Sequence, residues 1–312
     1  MIKLVPTSIC NFNKHLDTID DSNPTNPLTL NFHDGTTATA DAVIGTDGIK
    51  SRVRAWMVGE HDPRARPTYT HKYAYRGLIP IPKATSALGA DNAQNAKLHM
   101  GQDGHVLTFP VNHGSTMNVV AFKTNSAAWP SEDKLTLPTT KEAALHDFQD
   151  FGPTVTHIIN LLEPNLDCWA IFDLGDHPMQ FFNKGRVCLL GDAGHATTPH
   201  HGSGAGFCIE DAAVMCELLD DARVRGKGTQ GLEAAFQAFS NSRIERANWL
   251  VQSSRRTGDL YEWRAEGVGR DVEKIEQECR ERDERIWNAQ ISDMIEEGKR
   301  ALGYALEGGK KD

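Results

Sequence analysis

The stretch from Gly185 to Leu219, GRVCLLGDAGHATTPHHGSGAGFCIEDAAVMCELL, gathers residue types that bind a ligand. Asp192 follows a short apolar run, Val187 to Leu190. Gly202, Gly204 and Gly206 precede apolar residues at the spacing of one helix face: Ile209, Ala212, Ala213, Cys216 and Leu219. A carboxylate at the carboxyl end of a strand stands where ligands of α/β sheets bind and accepts hydrogen bonds from sugar-type hydroxyls. A helix start offers unpaired N–H groups and the positive end of the helix dipole, and glycines let a ligand approach that backbone. Such a set can hold a hydroxylated ligand that carries or develops negative charge. The competing reading is a Gly-rich loop that only turns the chain. His195, His200 and His201 lie in the same stretch, but no H-E-x-x-H or Cys/His grouping accompanies them, so no metal is expected.

These residues need a sheet and a helix to place them. Val187 to Leu190, bounded by glycines, suits a strand buried on both faces, and the apolar spacing predicts a helix that begins where the glycines stop, at Phe207. Ala42 to Arg54, AVIGTDGIKSRVR, offers a second strand and turn: Val43-Ile44 as strand, Gly45 and Gly48 as turn, and Ser51 as N-cap. Asp47-Gly48 alone is a common turn dipeptide. Lys3 to Ser8 and Leu28 to Phe32 read as strands, with turns at Asp20 to Pro24 and His33 to Gly35. Between residues 68 and 122 the pattern is mostly β, with strand-like runs at 73–79, 97–100, 105–109 and 117–122. After a loop at 127–138, helical spacing occupies 141–151 and 154–162, and Trp169 to Phe172 returns as strand. Two long helical stretches follow, 232–254 and 271–302. The last has a narrow apolar face, Ile275, Ile286, Trp287, Ile291 and Ile295, suited to a solvated edge helix or a homodimer contact. Gly308 to Asp312 reads as a frayed tail.

Composition narrows the class. A chain of 312 residues, 39% hydrophobic and 24% charged, can bury a large core in one or two domains. No apolar run approaches the ~20 residues of a bilayer-spanning helix, so no membrane partner is expected. A net charge of −9 without a Lys/Arg block argues against nucleic acid. The six scattered cysteines and the absence of a signal-peptide layout suit a cytoplasmic protein with buried thiols.

GDAGHATTPHHGSGAGFCIEDA resembles the second flavin motif of the aromatic-ring hydroxylases, single-component FAD monooxygenases that include para-hydroxybenzoate and salicylate hydroxylases. AVIGTDGIKSRVR resembles their DG motif. "YRG" followed by "FPVNHG…MNVVAF" is similar to the fungal salicylate-hydroxylase-like branch. The resemblance implies FAD as cofactor, with Asp192 on the ribityl hydroxyls, Pro199 beside the isoalloxazine, and Gly204, Ala205 and Gly206 at its pyrimidine edge. It places Asp47 and Gly48 near the FAD pyrophosphate and the nicotinamide passage, with Ser51 and Arg54 in the same pattern. It also puts a substrate sheet over the flavin. There the guanidinium of Arg76, the catalytic candidate, would fix a phenolate or carboxylate; its competing reading is an ordinary surface arginine.

The fold expected from the resemblance is α/β with mixed α+β character: a truncated Rossmann-like FAD-binding domain, an inserted mixed-sheet substrate domain and C-terminal helices. Residues 1–67 would form part of the FAD-binding domain, 68–180 the substrate domain, 181–256 the rest of the FAD-binding domain, and 257–312 a helical end. The family's G-x-G-x-x-G unit has no counterpart before residue 200. The implied activity is hydroxylation of a small phenolic or aromatic substrate by NAD(P)H and O₂. The alternatives are a non-catalytic remnant that binds FAD weakly or not at all, and a flavin dehydrogenase that inserts no oxygen.

Overall fold

The computed structural model describes residues 2–23, 26–131 and 133–307; the tail at 308–312 and part of the turn ending at Pro24 lie outside them. Three sheets organise the chain. The largest has six strands, in the order Lys97–Gly101, Gly104–Val111, Thr116–Thr124, Thr68–Pro80, Asn165–Asp173 and Thr136–Thr140. Every neighbouring pair in it is antiparallel, whereas the resemblance led us to expect a mixed sheet. Tight turns joining successive strands, such as Gly101 to Gly104 and Val111 to Thr116, account for this, because only antiparallel neighbours can be joined so closely.

Strand alternation gives this sheet two different faces. Tyr75, Val106, Met117, Val119 and Ala121 point into an apolar core with Phe148, Val155, Ile158 and Ile159 from the helices Lys141–Asp147 and Pro153–Asn160 and the segment after the first. Ala74, Arg76, His105, Leu107, Asn118 and Val120 belong to the opposite face, which lines a cavity.

A smaller sheet pairs Val187–Leu189 with Asn183–Lys184 and, in parallel, with Val43–Gly45. Val187, Cys188 and Leu189 are all fully buried, as their apolar run requires. They share a core with Phe182, Val214, Leu218, Phe236 and Phe239, which joins this sheet to the helices Gly204–Asp220 and Gly228–Tyr261. A full burial such as that of Phe239 contributes about 1.5–3 kcal/mol.

Several local expectations differ from the structure. The stretch 271–302, expected as one long helix, is two, Val272–Trp287 and Ile291–Leu306, and the strand Thr136–Thr140 starts within the expected loop. Lys3 to Ser8 is not a strand but part of two short 3₁₀ turns, Ile2–Leu4 and Thr7–Ile9, and pairs with no sheet. The helix expected at Phe207 begins at Gly204, because its first N–H groups need no intrahelical acceptor and glycine tolerates that position. Its buried face is also displaced: Phe207, Asp211, Val214, Met215 and Leu218 point inward, while Ile209 is 54% exposed. The reason is Asp211. A polar residue in the inward row breaks an apolar pattern, yet it is fully buried because its charge is paired.

Candidate active site

The parallel pairing of Val43–Gly45 with Val187–Leu189 sends both following loops out from the same end of the sheet. One carries Asp47 and Gly48, the other Asp192. Arg54 stitches the two together. Its fully buried guanidinium donates through Nη2 to Ile49 O at 2.6 Å, through Nη1 to Ala193 O at 2.7 Å and through Nε to Arg64 O at 3.0 Å. Burial lowers its pKa to about 10, although Asp47 favours the charged form. The Asp47 carboxylate in turn accepts from Ser51 Oγ at 2.5 Å and from the backbone N–H of Arg52 at 2.7 Å. Ser51 caps the helix Arg52–Val58 by accepting from Arg54 N. Asp47, Ser51 and Arg54 therefore shape the loop in this structure, while Gly48, with φ +79°, supplies a turn that an L side chain resists.

Asp192 opens the short helix Asp192–His195, with its side chain exposed and in none of the described ion pairs. The preceding Gly191 has φ +61°, and a Cβ there would lie 2.8 Å from Cys208 Sγ, so only glycine brings the strand end this close to the glycine-rich helix. At the start of that helix Ala205 and Gly206 are exposed, and a Cβ added at Gly206 would meet nothing within 4 Å. Open backbone N–H groups beside a free carboxylate match the donor and acceptor set of a hydroxylated, anionic cofactor. FAD fits these residues on that ground.

The glycine loop is held from beneath. Asp211 Oδ2 accepts from Gly191 N at 3.0 Å and from His195 Nε2 at 2.7 Å, and Oδ1 accepts from Arg243 Nε at 2.9 Å. Burial would raise the Asp211 pKa, but His195 and Arg243 outweigh it and hold the carboxyl below its usual range. Glu210 continues the network with Arg243 and, in bidentate fashion, with Arg246.

A cavity of about 570 Å³ lies on the open face of the six-stranded sheet. Arg76, His105, Asn118, Trp169 and Tyr261 line it, and Pro199 to Gly202 extend its wall to the loop that leads into the glycine helix. The structure thus brings Arg76 and Pro199 to one cavity. The Arg76 guanidinium lies 5.0 Å from the Trp169 ring centroid and makes none of the described salt bridges. His200 packs against Gly258 of the long helix, where a Cβ would come within 2.7 Å of its ring. Among the described residues no cluster of three or more His, Cys, Asp or Glu is arranged for a metal, and no helix is long and apolar enough to cross a membrane.

Comparison with known proteins bears directly on these loops. The FAD binding domain family matches residues 10–254. An FAD-dependent monooxygenase of Aspergillus niger is 48% identical over 307 residues, covering 95% of this chain and 69% of that protein. The chain belongs to the FAD-dependent monooxygenases. One of Monascus ruber is 45% identical over 300 residues, with the same coverage. A solved salicylate hydroxylase substrate complex is 33% identical with a TM-score of 0.85, over 95% of this chain and 72% of that one.

Several residues of this monooxygenase were not singled out from sequence. Lys72, His105 and Glu262 are buried together, with Lys72 Nζ 2.5 Å from Glu262 Oε2 and His105 Nδ1 3.3 Å from Glu262 Oε1. Alternation along Gly104–Val111 would have put His105 on the same face as Leu107 and Phe109. No local pattern marks Glu262, just past the end of a 34-residue helix, as a partner of residues 157 and 190 positions earlier.

Proposed function

We propose that this monooxygenase hydroxylates a small phenolic or aromatic substrate, with NAD(P)H as reductant and O₂ as the source of the oxygen atom. The observation that carries the reading is Arg76: a guanidinium on the wall of an otherwise largely apolar cavity, stacked near Trp169 and in none of the described salt bridges. An anionic oxygen on a planar ring suits that arrangement, because arginine offers a flat fork of donors and the indole an apolar face. The relatives include a salicylate hydroxylase of Sarocladium schorii, 38% identical over 311 residues, which is consistent with a ring bearing a phenol and a carboxylate.

FAD, when bound, supplies the redox chemistry and the oxygen transfer. This chain's residues would bind, orient and exclude water. Asp192 would accept from the ribityl hydroxyls, and the open N–H groups from Gly204 to Gly206 would face the pyrimidine edge, with Pro199 alongside. Gly48 and the Asp47 loop would stand by the pyrophosphate, on the scaffold tied down by Arg54. Arg76 would orient the ring.

The test is product analysis with ¹⁸O₂ and a set of phenolic acids, alongside flavin content and NAD(P)H oxidation. Incorporation of one labelled atom into a ring hydroxyl, with oxidation of NADH or NADPH stimulated by substrate, is the expected result. An oxidised product without label would instead make the protein a flavin dehydrogenase.

A further inference from the structure

A second cavity, of about 430 Å³, lies at the edge strand Lys97–Gly101 of the six-stranded sheet, where the turn from Gly101 to Gly104 meets the segment after the Lys141–Asp147 helix and the chain leaving the long helix. It shares no lining residue with the cavity that holds Arg76. Met100, Phe151 and Trp263 give it apolar wall, and Lys123 and Arg270 give it two cations. Neither cation makes any of the described salt bridges or hydrogen bonds. Each rests on a ring instead: Lys123 Nζ lies 5.9 Å from the Phe148 centroid and the Arg270 guanidinium 4.6 Å from that of Trp263. The arginines nearby in the chain behave differently, since Arg256 and Arg282 pair with Glu278, and Arg264 with Asp103.

Trp263 is placed there against its own backbone preference. It stands just past the long helix with φ +56°, the left-handed conformation that glycine usually fills at helix ends. A bulky residue stays in that conformation only where its surroundings hold it, and such positions cluster at ligand clamps. Trp263 packs, partly buried, against Leu260, Ala265 and Ile275, and still contributes to the cavity wall. Gly101 makes a comparable allowance: a Cβ there would lie 2.4 Å from Phe151 Cζ, so only glycine admits that ring to the wall. A guanidinium stacked flat on an indole keeps its in-plane N–H donors free, and those donors match a carboxylate.

We propose that this second cavity binds a single-ring aromatic carboxylate that bears a hydroxyl. Arg270 and Lys123, two cations without a carboxylate of their own, take the ligand's charge. The ring lies against Trp263 and Phe151. Asp103 is committed to Arg264, which leaves Asp150, an exposed carboxylate of the cavity lining in none of the described ion pairs, to accept from the hydroxyl. The volume falls in the range of small-molecule sites. Binding here makes and breaks no covalent bond. The site is separate from the Arg76 cavity, so it does not rest on the reading of that cavity as the substrate site.

Two of the six tryptophans report the two cavities separately, Trp263 this one and Trp169 the one that holds Arg76. Protein labelled with 5-fluorotryptophan gives a fluorine resonance for each, assigned through Trp263→Phe and Trp169→Phe. Titration with 3-hydroxybenzoate should shift the Trp263 resonance saturably. Arg270→Gln and Lys123→Met should each weaken that response by roughly tenfold, as loss of a hydrogen bond to a charged group does, with the Trp169 response unchanged. 3-Hydroxybenzyl alcohol, which lacks the charge, should leave Trp263 unshifted at the same concentration, and benzoate, which lacks the hydroxyl, should bind more weakly. Arg270 is exposed, so Arg270→Gln keeps the test decisive if Lys123→Met does not fold. A fixed Trp263 resonance would overturn the site whatever Trp169 does, and a shift at Trp169 alone would leave the Arg76 cavity standing. Wild-type affinity in Arg270→Gln would overturn the site as well. Benzoate binding as tightly as 3-hydroxybenzoate would overturn the Asp150 contact.

Discussion

Two buried carboxylates, Asp211 and Glu262, are both fully buried and both pair with histidine and a cation, yet they do different jobs. Asp211 is saturated: a backbone N–H, an imidazole and a guanidinium occupy its two oxygens, and its partners belong to the glycine loop and the long helix. A network in which both carboxylate oxygens have donors locks geometry. Glu262 is saturated on one oxygen only, and the unmet oxygen faces a histidine on the cavity wall. The first site holds the cofactor loop still. The second leaves one carboxylate oxygen unmet beside the cavity that Arg76 lines.

The largest expected effect comes from breaking the saturated site. Asp211→Ala takes the acceptor from His195 Nε2 and Gly191 N and leaves the buried Arg243 with Glu210 as its one carboxylate, which should cost about 3–5 kcal/mol of stability, as loss of one partner of a buried pair does. Urea unfolding measures it. A loss near that of a surface substitution would mean that the loop is held by packing alone, and the contrast with Glu262 would fall.

On the cavity side, Arg76→Gln should reduce kcat/KM for a phenolic acid by about 1.5–3 kcal/mol, the worth of a hydrogen bond to a charged group, with flavin content unchanged. Arg76→Lys should lie between it and wild type, since the charge remains but the planar fork is lost. Arg76 is exposed, and wild-type kinetics in both variants would leave it a surface arginine beside Trp169.

At the cofactor loop, Asp192→Ala should weaken flavin retention by a comparable or smaller amount, about 1.5–3 kcal/mol at most, because the carboxylate is exposed before the ligand arrives. Flavin content after gel filtration, with folding checked by circular dichroism, is the measurement. Retention equal to wild type would remove Asp192 from the site while leaving its position on the loop unchanged.

The last effect is a slope of stability with pH. Burial would raise the Glu262 pKa, but His105 and Lys72 bring it down to about 2 from an ordinary 4.5. The unfolded chain therefore takes up this proton first as pH falls, so the contribution is complete above pH 4.5 and is lost between 4.5 and about 2. Burial lowers His105 and His200 below the usual 6.5, so they too make the native state lose stability as pH falls below that value. Urea midpoints across pH 7 to 3 should fall, and Glu262→Gln should flatten the part below 4.5. An unchanged slope in that variant would show that Glu262 is not ionised in the native protein.

Much of the cofactor end was written locally. The strand at Val187, the glycines and the carboxylate at Asp192 are neighbours in the chain, and apolar runs and turn residues report on such short segments. Most strands of the large sheet were readable for the same reason, but their antiparallel pairing and the strand Thr136–Thr140 were not. The inner face of the Gly204–Asp220 helix was not, because Asp211 has the spacing of the inward row but is not an apolar residue. Its burial depends on His195, 16 residues away, and Arg243, 32 residues away.

The sequence by itself determined the secondary structure around the flavin motifs, the family, and the residue types offered to the cofactor, since all of these rest on contiguous patterns. Only the tertiary structure decided that Arg54 ties two loops through backbone carbonyls, that Arg76 shares a cavity with Pro199, and that Glu262 meets Lys72 across 190 residues of chain. Burial and charge pairing are set by what folds over a side chain. That partner is distant in sequence, so no local pattern records it.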